Sequence, residues 1–339
     1  MSAPANNGRP LLSVSLDADN LWSYMKTHGD AGWQAYPTYL GKLADVALAR
    51  LAKHSLKITF FIVGQDAALP RNRAALAAIA AAGHDVGNHS FRHEPWLHEY
   101  SPDEVFEEIR SAEEAIEAAT GVRTKGFRGP GFSLTGDVLQ VLSDRGYAYD
   151  ASTFPTFLGP IARLYYFRQT RNLPPEEQRR RSQLFGSLKD GLRPLHPYFW
   201  TLRGRELLEI PVTTTPVARV PMHLSYVMYL AERSEALARA YVRATVGACR
   251  LFGVEPSLLL HSLDFLGGDD VTELAFFPGM HMPAARKLAV FDWLIEHLHE
   301  RFELVSLDHH ARVLLERDRA RPLRRVAAPA TAPAAAVAT

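Results

Sequence analysis

Two aspartates two apart, Asp17 and Asp19, close the apolar run Leu11–Leu16, and two histidines four apart, His89 and His93, follow a short run ending at Asn88. Carboxylates at spacing two on a strand end point to the same side. Imidazoles at spacing four can face one side of a helical turn and hold one metal ion through two ring nitrogens. Such a pair needs a third ligand from elsewhere, and Asp17-Ala18-Asp19 is the obvious donor. One carboxylate could bind a cation while the other stays free as a base. The bland alternatives are a solvated turn at the aspartates and a chance spacing among fourteen histidines. Arg128, Asp150 and His261 each end a further apolar run.

These residues share a chemistry only if the fold gathers them. Short apolar runs alternate with amphipathic stretches, the pattern of a mostly parallel α/β sheet or barrel. Strands are expected at Leu11–Leu16, Ile58–Val63, His84–Asn88 and Thr124–Arg128, in a short run reaching Asp150, and at Leu207–Val212, Leu258–His261 and Glu303–Ser306. Helices are expected from Pro37 to His54, up to Ala82, after Ser101, from Asp137 to Arg145, from Ser234 to Phe252 and from Pro283 to His299. Ser101-Pro102-Asp103-Glu104 is a strong helix start, with Ser as N-cap, Pro in the first turn and Glu as the capping-box partner. The C-terminal ends of parallel strands face one mouth, so six scattered segments converge there.

The chain of 339 residues is 47% hydrophobic and 22% charged, which excludes wholesale disorder. Its net charge of +1 exerts no pull on nucleic acid, and the lone Cys249 rules out an intrachain disulfide framework and a multi-cysteine metal site. No run approaches the ~18 apolar residues of a membrane span, and the first residues lack a signal-peptide pattern, so a cytoplasmic setting is expected. Residues 1–10 are expected to be disordered, 11–320 to form a single catalytic domain, and 321–339 to be a disordered Ala/Pro tail. Within 154–204 the rhythm breaks. Prolines, the basic run Arg179–Arg181 and aromatics from Tyr165 to Trp200 suggest an insertion over the mouth. That insertion would serve as a lid, a subunit contact or a peripheral membrane contact. Leu266-Gly267-Gly268-Asp269-Asp270 would be either a hinge or a rigid wall.

Taken in order, these segments resemble the metal-dependent polysaccharide deacetylases with NodB homology (carbohydrate esterase family four). Ser15-Leu16-Asp17-Ala18-Asp19 is similar to the first motif in an Asp-x-Asp variant, and Ile58–Gly64 to the second strand. Gly87-Asn88-His89-Ser90 with His93 resembles the metal-binding motif. Phe127-Arg128-Gly129-Pro130-Gly131-Phe132, Tyr149-Asp150-Ala151-Ser152 and Leu259-Leu260-His261 resemble the third, fourth and fifth motifs. The resemblance covers nearly the whole chain. It implies a distorted, partly open (β/α) barrel and hydrolysis of an N-acyl, usually N-acetyl, group on an amino sugar.

The resemblance assigns Asp19, His89 and His93 to one divalent metal, Asp17 to the base role and His261 to the acid role. Zinc is the expected ion for two imidazoles and a carboxylate, with cobalt, nickel or manganese open. In the same reading the Gly131 N–H holds the oxyanion with Phe132 beside it at the substrate. Arg128 pairs with Asp17, and Asp150 is the carboxylate next to His261. Ala18 stands where many relatives carry the metal-binding aspartate, so Asp19 takes over. The fourth motif also lacks the tryptophan common in polymer-active members, so the expected substrate is an intracellular carrier-linked or lipid-linked amino sugar. The alternative is a C–N hydrolase of the same fold acting on a formamide or cyclic ureide. Nine of the other eleven histidines, His223 and His310 among them, are expected to be structural. No oligomeric state is implied.

Overall fold

The computed structural model describes residues 9–159 and 189–329. Among these, ten strands form one sheet: β1 Leu11–Asp17, β2 Thr59–Ile62, β3 Asp85–Asn88, β4 Gly126–Phe127, β5 Tyr149–Asp150, β6 Tyr198–Thr201, β7 Glu206–Glu209, β8 Ser257–His261, β9 Glu303–Ser306 and β10 Arg324–Ala327. They lie in the order β10-β6-β7-β5-β4-β3-β2-β1-β8. The pairs are parallel, apart from the antiparallel β6–β7. β1 is the hub. Its residues 15–17 pair with β2 and residues 11–14 with β9, so these two share one edge, while β8 takes the other. The sheet does not close, in keeping with a partly open barrel.

β1 is buried along its whole length, yet its two faces differ. Leu12, Val14 and Leu16 enter the main hydrophobic core beside Phe60, Ile62, Leu258 and Leu260. Ser13, Ser15 and Asp17 take the opposite face, as the period of two requires. Buried polar groups there must find partners. Ser13 meets His310 at 3.0 Å, and Ser15 accepts from Arg128 at 2.9 Å. The register sets Asp17 directly beside His261 of β8, so both side chains leave the sheet on the same side.

The helix Pro102–Thr120 starts as expected: Ser101 accepts from the Glu104 N–H, and the Glu104 carboxylate accepts from Ser101. Such a cap is worth about 1 kcal/mol. The helices Leu40–Lys53 and Ala284–His299 press buried leucines against the main core.

Four expectations need correction. His89 and His93 do not share a helical turn; they lie in a loop after β3, where Ser90 (φ 60°) and His93 (φ 54°) are left-handed. The expected tail contains β10, which pairs with β6 through a short run that sequence periodicity does not reveal. β6 falls inside the supposed insertion, with Tyr198 and Trp200 buried in a second core cluster. The helices Leu21–His28 and Leu224–Arg233 were not expected. Residues 160–188, including Arg179–Arg181 and Tyr165, as well as 1–8 and 330–339, lie outside the described residues. Among the described residues no helix is long and apolar enough to cross a membrane.

Leu266–Asp270 is a packed wall. A Cβ on Gly267 or Gly268 would run into the backbone of Pro283–Ala284 or Met280. The buried Lys287 ammonium ties the Leu263 and Leu266 carbonyls together at 2.7 and 3.0 Å, and Asp270 pairs with Lys42.

Candidate functional site

The strand ends bring Asp19, His89 and His93 together. One ligand atom from each lies within 4.8 Å of the other two. Asp19 Oδ1 is 2.9 Å from His93 Nε2 and 3.3 Å from His89 Nε2. His89 Nδ1 is 2.6 Å from the Arg128 carbonyl, which only accepts, so this nitrogen carries the ring proton. In the neutral ring, Nε2 then turns a lone pair toward a carboxylate oxygen. That arrangement is repulsive unless a positive charge sits between them. Without an ion, protonation fills the need. Burial lowers the His89 pKa, but the Asp17 charge and the bond to Asp19 outweigh it and raise it. Burial would likewise raise Asp19, yet the His93 charge and the imidazole bonds hold it well below the usual carboxylate range. A divalent cation satisfies the same three donors, and the carbonyl behind His89 supplies the outer support that ligating histidines need. The donor set fits a metal ion.

Asp17, 4% exposed, lies beside this cluster, with Oδ2 4.0 Å from His89 Nε2. Its Oδ1 accepts from Arg128 at 2.7 Å, the pairing expected from sequence. Arg128 is completely buried. It also donates to Ser15 and the Ala151 carbonyl, and its guanidinium lies 4.4 Å over the Phe61 ring. The result is one charge-assisted pair with its geometry locked.

His261 sits beside Asp17 in the register, but its carboxylate neighbour is Asp264 rather than Asp150. The His261 backbone N–H donates to Asp264 at 2.8 Å, while its ring Nδ1 meets the Ser225 hydroxyl at 2.9 Å. Ser225 also bonds to Asp264, so the three form a chain. Burial raises the Asp264 pKa, against the opposing charge of His261. Asp150 is occupied elsewhere: it accepts from the Ser152 hydroxyl at 2.7 Å and the Ser152 N–H at 3.1 Å, and it pairs with Glu209. Burial first, then the Asp150 charge, push Glu209 well above the carboxylate range, so the pair shares a proton. Ser152 in turn accepts from the Gly129 N–H at 2.8 Å. Asp150 therefore braces the 129–132 turn.

In that turn Gly131 has φ 59° and Phe132 φ 62°. A Cβ on Gly131 would lie 3.0 Å from Pro95 at a left-handed φ, so a side chain there would be strained. Phe132 packs on Phe154 at 4.5 Å, Phe154 meets His223 at 5.9 Å, and His223 meets His261 at 5.7 Å. His223 was read as structural, yet it stands next to the candidate acid. Burial, and secondarily the His261 charge, lower its pKa to about 3, so it stays neutral. Nothing in the sequence marks His223 or Ser225. Asp264 did leave a signal, a carboxylate three residues past a strand-ending histidine.

Comparison with known proteins bears on the family and the fold. The family model described as polysaccharide deacetylase matches residues 30–149, which hold His89, His93 and Arg128. A Bacillus subtilis protein named only as the uncharacterized protein YlxY is 33% identical over 108 residues, 32% of this chain and 31% of its own length. The peptidoglycan-N-acetylglucosamine deacetylase of Bacillus cereus is 35% identical over 83 residues, 24% of this chain and 29% of its own length. The matches thus span under a third of either relative. A solved Mycobacterium smegmatis structure, ascribed to a polysaccharide deacetylase, aligns over 99% of this chain and 98% of its own with a TM-score of 0.62. At 18% identity it speaks for the fold.

Proposed function

This chain belongs to the polysaccharide deacetylase family, and on that premise we propose that it hydrolyses the N-acetyl group of an amino sugar with the help of one divalent cation. A single observation carries the proposal: Asp19, His89 and His93 offer three donor atoms within 4.8 Å of one another, flanked by the register neighbours Asp17 and His261. When bound, a cation such as zinc supplies Lewis acidity and acidifies water at the site. Asp17, oriented by Arg128, takes the proton from the attacking water. The turn at Gly131 and Phe132, braced by Ser152 and Asp150, lines the place where negative charge develops on the acyl oxygen. His261 hands a proton to the departing amine, held by Ser225 with Asp264 behind it. His223 stays neutral beside it and does not compete for that proton. We place the activity in one catalytic domain.

For the sugar, we propose a carrier-linked or lipid-linked unit rather than a long polymer. The absence of a tryptophan from Tyr149-Asp150-Ala151-Ser152 supports this.

The test is acetate release from N-acetylhexosamine conjugates by protein of known elemental content, with formate and ring-opened products followed in parallel. His89→Ala and His93→Ala should each lose both metal and turnover. Asp17→Asn should keep the metal and lose about 10²–10⁴-fold in kcat. Full activity in Asp17→Asn, or formate in place of acetate, would refute the proposal.

A further inference from the structure

Tyr24 is on the helix Leu21–His28, which starts two residues after Asp19. Its hydroxyl oxygen is buried and has no hydrogen-bond partner. The ring is wedged edge-on against Phe277, 5.1 Å away, in the loop that follows the candidate acid. The hydroxyl feels the charges of Asp19, Asp264 and Asp17, so it stands among the groups assigned above to the cation, the base and the acid. Those carboxylates accept and cannot donate. Tyr39 shows how a phenol with a fixed structural task behaves in this region: it donates to the Asp19 carbonyl at 2.7 Å. Tyr24 has no such bond. A hydroxyl buried without a partner pays desolvation for nothing in the resting protein, and a phenylalanine would fill the same space. Its use must therefore come with a ligand.

We propose that the Tyr24 hydroxyl donates a hydrogen bond to an oxygen of the substrate's acyl group, a second donor besides the turn at Gly131. The inference rests on the deacetylase reading and deepens it by adding a substrate-touching residue on a helix outside the matched motifs. Burial, reinforced by the carboxylates, raises the Tyr24 pKa well above its ordinary value, so the group remains an O–H donor throughout the working range.

The experiment compares the wild type with Tyr24→Phe, both metal-loaded, in kcat and KM on an N-acetyl sugar conjugate, acetate affinity by calorimetry, metal content and melting temperature. Acetate is the probe because it presents acyl oxygens and no sugar. The expected result is a kcat lower by about 10–10²-fold with KM little changed, acetate bound about 10-fold more weakly, and metal content and melting temperature maintained. Unchanged kcat with unchanged acetate affinity overturns the inference. So does a fall in kcat with acetate affinity intact, which moves the donor off the acyl group. A loss of metal also overturns it, because Tyr24 would then act through the ligand set. Should the wild type release no acetate from any such sugar, the deacetylase reading fails by itself. The calorimetric arm then decides the hydrogen bond.

Discussion

Replacing Asp66 with asparagine should stabilise the protein at alkaline pH and leave it unchanged in acid. Asp66, fully buried in the short helix Gly64–Ala68 after β2, anchors the segment behind Asp19. Its Oδ1 accepts from Asn20 at 2.7 Å, Trp22 at 2.9 Å and Asn72 at 3.2 Å, while Oδ2 is buried without a partner. Burial raises its pKa from 3.8 to about 7, with the Asn20 and Trp22 bonds only partly opposing. Between those two values the folded protein holds a proton that the unfolded chain has released. The unfolded-minus-native proton count is therefore negative, and stability falls as pH rises through the window and levels off above it. A shift of about three units at 1.36 kcal/mol each comes to about 4 kcal/mol. Asparagine keeps the accepting oxygen and never ionises. In acid both side chains are neutral and keep the accepting oxygen, and the amide's one additional N–H adds only a pH-independent offset. Urea denaturation of both proteins at intervals from pH 4.5 to 8.5 tests this, because every other titration cancels in the difference. The gap should widen from about 1 kcal/mol at the acid end to about 4 kcal/mol at the alkaline end. A constant gap across the window would mean that Asp66 is ionised throughout and that its three donors suffice to hold the charge.

Arg128→Met strands Asp17 as a buried, unpaired charge and should cost about 3–5 kcal/mol, or roughly 6–10 °C in melting temperature at about 2 °C per kcal/mol. Adding Asp17→Asn should restore most of that loss, and strictly additive effects would show that the pair is not coupled. Asp264→Asn should lower kcat by about 10-fold or more with KM unchanged and metal content intact. Equal kcat would place Asp264 outside the acid's support.

Much of the site was legible because strand ends are legible. Asp17, Asp19, His89, Arg128 and His261 each follow or end an apolar run, and parallel strands present those ends to one mouth. What failed was inference about which ends meet. Asp150 also ends a strand, but β5 lies five positions from β8 in the sheet order, and its carboxylate is taken by Ser152 and Glu209. Asp264 comes from the same segment as His261, returned to it by the turn Ser262–Asp264. Sequence periodicity describes strands and helices, and this contact belongs to neither. The loop carrying His89 and His93 teaches the same point. The two histidines do meet, but their approach depends on two left-handed non-glycine conformations, which are uncommon.

Those conformations bear on the function itself. Left-handed Ser90, His93 and Phe132 are strained positions that persist only if their surroundings compel them. Each has an identifiable restraint. The Ser90 N–H donates to the Asn88 side chain at 2.8 Å, His93 is drawn to Asp19, and the Phe132 N–H closes on the Gly129 carbonyl at 3.0 Å. The second of these is tied to the donor cluster: a neutral His93 ring can donate its Nε2 proton to Asp19, whereas His89, whose Nδ1 carries the proton, sets a lone pair against the same carboxylate unless a cation or a further proton lies between them. The loop 89–95 should therefore be the first part of the site to loosen when metal is stripped at alkaline pH. The turn at Phe132, tied by neutral hydrogen bonds, should not respond.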